Sequence, residues 1–145
     1  MRKLDNKGFT LVEVIAVVVI LSVLSLLIVP SISNLLNMSK DNSYEDLKSS
    51  IILSCEEYIN DNRYNINIDS CDNNDICNVS DISVLFLVTN GYLTPSGTNS
   101  DGYYIVNPKD KKSEMDMKNS YVKVTFDKNT KKFIYELKNL EWKKS

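Results

Sequence analysis

Hydrophobic positions follow three different rules along this chain. Residues 9–29, FTLVEVIAVVVILSVLSLLIV, form an apolar run of 21 residues broken by one charge, Glu13. At about 1.5 Å rise per residue the run makes roughly 31 Å of helix, close to a hydrocarbon thickness of about 30 Å, so a membrane-spanning helix is predicted. After Pro30 the pattern becomes amphipathic. Tyr44, Leu47, Ile51, Cys55, Tyr58 and Asn62 recur at spacings of 3, 4, 4, 3 and 4, with Lys40, Asp46, Lys48, Glu56, Glu57 and Asp61 on other faces. Joined, the two stretches predict one helix from about residue 10 to about residue 62, roughly 80 Å long. Pro30 removes a donor and crowds the carbonyl one turn earlier, so a kink is expected there.

The third regime is short-range. Residues 65–80, NINIDSCDNNDICNVS, are rich in Asn and Asp and read as an exposed loop. The following SDISVLFLVTNGYLTP predicts a short helix with Ser80 as N-cap. Its apolar face is Ile82, Leu85, Phe86 and Leu87, Gly91 is its stop and Pro95 lies beyond. The β-rich Val84, Phe86 and Val88 leave a strand as the alternative. Residues 103–106, 121–126 and 133–137 read as a small antiparallel sheet. The last two segments alternate (Val122, Val124, Phe126; Phe133, Tyr135, Leu137) across a turn at residues 127–130, a hairpin signal. Three strands do not bury a core alone. Tyr44, Leu47, Ile51 and Tyr58 of the second half-helix are expected to cover them, which gives an α+β fold: a long N-terminal helix whose second half packs on a small antiparallel sheet.

Charge orients the chain and narrows its chemistry. Arg2, Lys3 and Lys7 precede the apolar run and no base follows until Lys40, so the N-terminus is expected in the cytoplasm and residues after about 30 outside. Net charge is −2, but residues 40–101 hold 11 acids and three bases while residues 109–145 hold 11 lysines and six acids. That asymmetry reads as two solvated surfaces, or as head-to-tail complementarity between copies or a basic patch for a partner. The chain has no histidine, which removes the commonest general base and metal ligand. No catalytic residue, cofactor or metal site is expected. Asp69, Asp72, Asn73, Asn74 and Asp75 are oxygen-rich but lack the EF-hand spacing and glycine, and turn chemistry is the better reading. Tyr103, Tyr104, Tyr121 and Tyr135 read as core and sheet cover before an adhesive surface.

The three cysteines, Cys55, Cys71 and Cys77, would lie outside the membrane, where disulfides persist. The preferred pairing is Cys55 with Cys77, tying the Asn/Asp loop to the helix; Cys71 with Cys77 is the competitor.

The front of the chain is the most specific part. Lys7-Gly8-Phe9-Thr10-Leu11-Val12-Glu13 and its apolar continuation resemble the processing site of type IV prepilins and the related pseudopilins. The resemblance implies cleavage between Gly8 and Phe9 by a membrane-embedded prepilin peptidase, with methylation of the new Phe9 amine. It divides the chain into a leader (1–8), a hydrophobic transmembrane and filament-core helix (9–30) and an extracytoplasmic pilin domain (31–145). Pro30 falls where many pilins interrupt the helix, and Leu87, Gly91, Tyr92 and Leu93 look like a local run of Gram-positive-type members. Physical chemistry gives Glu13 a role: a lone carboxylate near a helix centre in lipid costs about 2.5 to 3.5 kcal/mol, so it marks a partner. The amine of Phe9 on a staggered neighbour is the expected one.

The implied function is a structural subunit of a type IV pilus or pilus-like filament, stored in the cytoplasmic membrane and displayed on the cell surface after assembly. Its implied partners are other pilin subunits, the peptidase, a membrane platform protein and a motor ATPase. A pseudopilin of a type II secretion or competence (DNA-uptake) apparatus is the alternative within the family. A membrane-anchored extracellular module binding DNA or a surface ligand is the alternative outside it.

Overall fold

The structure, a computed structural model, describes residues 10–66 and 75–144, and of residues 26–31 the helical backbone alone. Helix α1 spans Leu11–Asp61. The chain divides into two compact units, Met1–Ser39 and Lys40–Ser145, each described by itself.

In the first unit α1 is apolar and its described large hydrophobic side chains are exposed, from Leu11 and Val12 through Leu24 and again at Ile32, Leu35, Leu36 and Met38. Its two described serines before residue 26 turn inward: the hydroxyls of Ser22 and Ser25 donate to the carbonyls of Val18 and Leu21, each at 2.7 Å. That i to i−4 bond satisfies the hydroxyl within its own helix and leaves an apolar outer surface.

In the second unit the amphipathic face of α1 is the floor of the core. Ile51, Cys55 and Ile59 are buried at successive i, i+4 steps, while Tyr44, Leu47 and Tyr58 are half-buried beside them. A short 3₁₀ turn, Arg63–Asn65, ends the helical part. Strand β1 (Ile76–Ser83) leads directly into α2 (Val84–Thr89), followed by β2 (Gly97–Asn99), β3 (Gly102–Tyr104), β4 (Ser113–Met115), β5 (Tyr121–Asp127), β6 (Lys132–Lys138) and β7 (Trp142–Lys144). One antiparallel sheet has the order β1-β5-β6; β2 pairs with β3 and β4 with β7 in two-stranded ribbons.

The predicted hairpin is β5–β6, with Val122 opposite Leu137, Val124 opposite Tyr135 and Phe126 opposite Phe133. Val122 and Val124 are fully buried against Ile51, Cys55 and Ile59. The turn is held by Asp127, whose carboxylate accepts from the Asn129 N–H at 2.8 Å and the Thr130 hydroxyl at 2.8 Å.

The third strand is not the predicted one. Of residues 103–106 only Tyr103 and Tyr104 lie in β3, which pairs with β2, while Val106 bridges Glu114; the place beside β5 is taken by β1, whose first half falls in the segment read as a loop. A bulge is the reason that segment has no visible strand period. The register shifts between Asn78 and Ser80, so Cys77 faces the same side as Ile82 although their numbers differ in parity. Pairing of Asp81 with Lys123 and of Ile82 with Val122 also moves the helix start. The N-cap is Ser83 instead of Ser80, its hydroxyl accepting from the Phe86 N–H at 3.2 Å.

Gly91 is the predicted stop, and the geometry shows how it works. Its φ of 82° is the left-handed region. There the Gly91 N–H reaches the Val88 carbonyl at 3.1 Å and the Tyr92 N–H reaches the Leu87 carbonyl at 2.9 Å, the paired bonds of a Schellman motif.

Candidate processing and assembly segment

Thr10 and Glu13 cap the start of α1 reciprocally. The Thr10 N–H and hydroxyl each donate to Glu13 Oε2 at 2.8 Å, and the Glu13 N–H donates to Thr10 Oγ1 at 3.3 Å. This is a capping box, and it satisfies donors that a helix start otherwise leaves orphaned. Both intrachain bonds to the carboxylate use one oxygen. Among the described residues Oε1 takes no further donor, and a carboxylate carries about four lone-pair sites. Glu13 thus combines an intrachain cap with capacity for a donor from another chain.

Gly8 and Phe9, the expected cleavage pair, lie outside the described residues. At position 30 the helical assignment is continuous, and the Pro30 side chain lies outside them. Among the described residues no helix is long and apolar enough to cross a membrane. The predicted span, 9–29, takes in Phe9 and the side chains of 26–29, which fall outside that set.

The preferred cysteine pairing is corrected. Cys55 is free and buried, whereas Cys77 is disulfide-bonded; Cys71, the competing partner, lies outside the described residues. Cys55 is fully buried within the cluster of Ile51, Ile59, Val122 and Val124, where it packs as a small hydrophobe, while Cys77 sits at the far end of β1 outside that cluster. Burial pushes the Cys55 thiol up to about 12.

Of the oxygen-rich loop, Asp69, Asp72, Asn73 and Asn74 lie outside the described residues, and the Asp75 carbonyl accepts the Lys128 N–H at 2.9 Å. Tyr104, Tyr121 and Tyr135 are half-buried, and burial, followed by the nearby Glu56 and Cys55, pushes Tyr135 up to about 12. Tyr103 is 46 % exposed and lines an open groove of about 460 Å³ with Asp101, Glu114, Asp116 and Lys143.

The Leu87, Gly91, Tyr92, Leu93 run joins α2 to α1. Leu87 and Leu93 are in the core. The Tyr92 ring meets Tyr58 edge-on at 5.3 Å, and its hydroxyl donates to Asp61 Oδ2 at 3.3 Å.

One contact escaped the sequence reading altogether. Lys109 Nζ lies 2.8 Å from Asp41 Oδ1 and 4.7 Å from the centre of the Tyr44 ring, which itself lies 6.0 Å from Trp142. No spacing rule links positions 41, 44, 109 and 142; only the fold brings them together.

Residues 3–29 match the family described as the prokaryotic N-terminal methylation motif. The chain carries the hallmark segment of type IV prepilins and pseudopilins. That motif supports a pilin-like or pseudopilin precursor, and the long helix followed by small antiparallel sheets is consistent with a pilin-like α+β fold. A prepilin-type motif goes with a membrane-anchored N-terminus before assembly. The match covers 27 of the chain's 145 residues, all in its basic and apolar N-terminal part. No curated protein and no solved structure matches it.

Proposed function

We propose that the chain is a structural subunit of a type IV pilus or pilus-like filament, cut between Gly8 and Phe9, methylated on Phe9 and polymerised through its N-terminal helix. The observation that carries this reading is the surface of α1 before residue 40. It is apolar and exposed on its described faces, with one acid at its start and serine hydroxyls folded back into the helix. Such a rod suits lipid tails first and copies of itself afterwards, because neighbouring helices replace lipid around the same surface.

In this reading Glu13 does two things. Its Oε2 caps its own helix, and Oε1 receives the methylated amine of a neighbour's Phe9, a charge-assisted bond in a low-dielectric bundle. A stagger that misses the bond leaves a carboxylate in apolar surroundings, so register is selected by the cost of the wrong ones. The role is mechanical and not catalytic. Its partners are further pilin copies, the peptidase, the platform protein and the motor ATPase, with the N-terminus cytoplasmic before extraction.

The same motif serves pseudopilins, and abundance separates the two. Filaments sheared from cells are expected to contain this chain as a main component. Glu13→Gln, which keeps the shape and removes the charge, is expected to abolish or sharply reduce that fraction while the cell-bound pool persists. Unchanged filament yield in the Glu13→Gln strain contradicts the register mechanism, and absence of the wild-type chain from sheared filaments favours the pseudopilin role.

A further inference from the structure

Within the unit Lys40–Ser145, the sheet β1-β5-β6 has two edges that differ. β1 carries the bulge between Asn78 and Ser80, a device that twists an edge away from further pairing. β6 has none. Its seven residues, Lys132–Lys138, keep an unbroken register with β5, hold no proline or glycine, and among the described residues pair with β5 alone. Every second residue of such a strand turns its N–H and C=O outward from the ladder. Phe133, Tyr135 and Leu137 pack against the core, whereas Lys132, Ile134 and Glu136 alternate with them and are exposed, Ile134 at 44 %.

We infer that the β6 edge pairs with the β6 edge of a second copy of this chain, antiparallel and centred on Ile134. Charge selects that register. A one-residue slip turns every side chain to the other face, so two copies that keep their helices on one side of the joined sheet are related by an axis passing through a residue. Centring on Ile134 sets Lys132 opposite Glu136 of the second copy, and the reverse, with Ile134 opposite itself and Phe133 opposite Tyr135. Centring on Tyr135 sets Lys132 opposite Lys138, and centring on Glu136 sets that carboxylate opposite itself. Like charges directly opposite are destabilising. Centring on Phe133 leaves Lys132 opposite Ile134 and brings the turn residues Thr130 and Lys131 against the strand. The helix behind the sheet agrees with the first register. Arg63 lies over Phe133, its guanidinium carbon 6.0 Å from the ring centre, and Glu56 stands beside Tyr135. Setting Phe133 opposite Tyr135 therefore turns Arg63 of each copy toward Glu56 of the other. Glu136 has Lys138 as an intrachain partner, whereas Lys132, Arg63 and Glu56 make no ion pair among the described residues. The contact is isologous and closes on itself, so it joins copies two at a time and is separate from polymerisation through the N-terminal helix.

The test uses the full chain in detergent, with one cysteine introduced, oxidised and separated by mass without reductant. Directly opposed residues of an antiparallel pair have Cα atoms about 4.5 to 5.5 Å apart, within disulfide reach. Ile134→Cys is expected to give a covalent dimer. Glu136→Cys lies about 13 Å along the strand from its own counterpart and is expected to stay monomeric, as is the wild-type chain, whose free Cys55 is buried. In the Ile134→Cys chain, adding Lys132→Glu is expected to lower the dimer yield several-fold, and adding Glu136→Lys to that variant is expected to restore it. No dimer from Ile134→Cys, an equal yield from Glu136→Cys, or no recovery in the charge-swapped chain overturns the pairing.

Discussion

Asp116 illustrates how much a single buried carboxylate ties together. It is 5 % exposed, with Lys143 Nζ at 2.5 Å and Asn119 Nδ2 at 2.7 Å on the same oxygen, and its N–H donates to the Glu141 carbonyl at 2.9 Å. The Lys143 bond, more than the opposing effect of burial, holds its carboxyl below the ordinary range; backbone and side-chain donors do the same for Asp110, and the Thr130 hydroxyl with neighbouring N–H groups for Asp127. A carboxyl with a depressed folded pKa stabilises the fold above its unfolded value, about 3.9, and that contribution disappears as pH falls through the folded value. Thermal midpoints should therefore fall as pH drops below about 4. Asp116→Asn should lower the midpoint at neutral pH and flatten its decline in acid, because the substituted protein no longer has that proton to take up. A decline as steep as wild type's in the variant would contradict the assignment.

Elements were legible where the sequence period matched the geometry without interruption. The amphipathic half of α1 and the β5–β6 hairpin keep strict spacings of 3 to 4 and of 2, and of the residues those spacings select the structure buries Ile51, Cys55, Val122 and Val124 and leaves the others half-buried; Ile59, outside the selected set, is buried in place of Tyr58. β1 was hidden because its bulge breaks the alternation, so polar Asn78, Ser80 and Asp81 read as loop although they pair with β5. The short helix was legible at its end and not at its start. Gly91 has a conformational reason to stop it, whereas Ser80 and Ser83 are chemically equal caps and only pairing with β5 decides between them. Gly91→Ala forces a Cβ into φ 82°, and is expected to destabilise the fold by about 1 kcal/mol, read as a lower urea midpoint with an unchanged slope. No change in midpoint would mean the Schellman turn is not strained by a side chain.

At the scale of the whole molecule, the two halves of the chain differ in how far sequence reaches. The N-terminal segment is contiguous, so a run of residues from Lys7 to Glu13 and the apolar stretch behind it displays the resemblance to prepilins without any knowledge of folding, and the matched motif at residues 3–29 agrees. The Thr10–Glu13 cap is equally local, three residues apart. The cysteine pairing and the Lys109 clamp are not local. An apolar helical position marked Cys55 as buried but did not show that its thiol is free, and residues 41 and 109 meet only after the chain has folded. The domain beyond the helix therefore had to be read from its geometry, while the assembly role rests on the first segment. Intact-mass analysis of the mature protein, from cells containing a prepilin peptidase, tests that role most directly. The expected mass starts at Phe9 and carries one methyl group; an uncut chain, or one cut between residues 31 and 39, contradicts it.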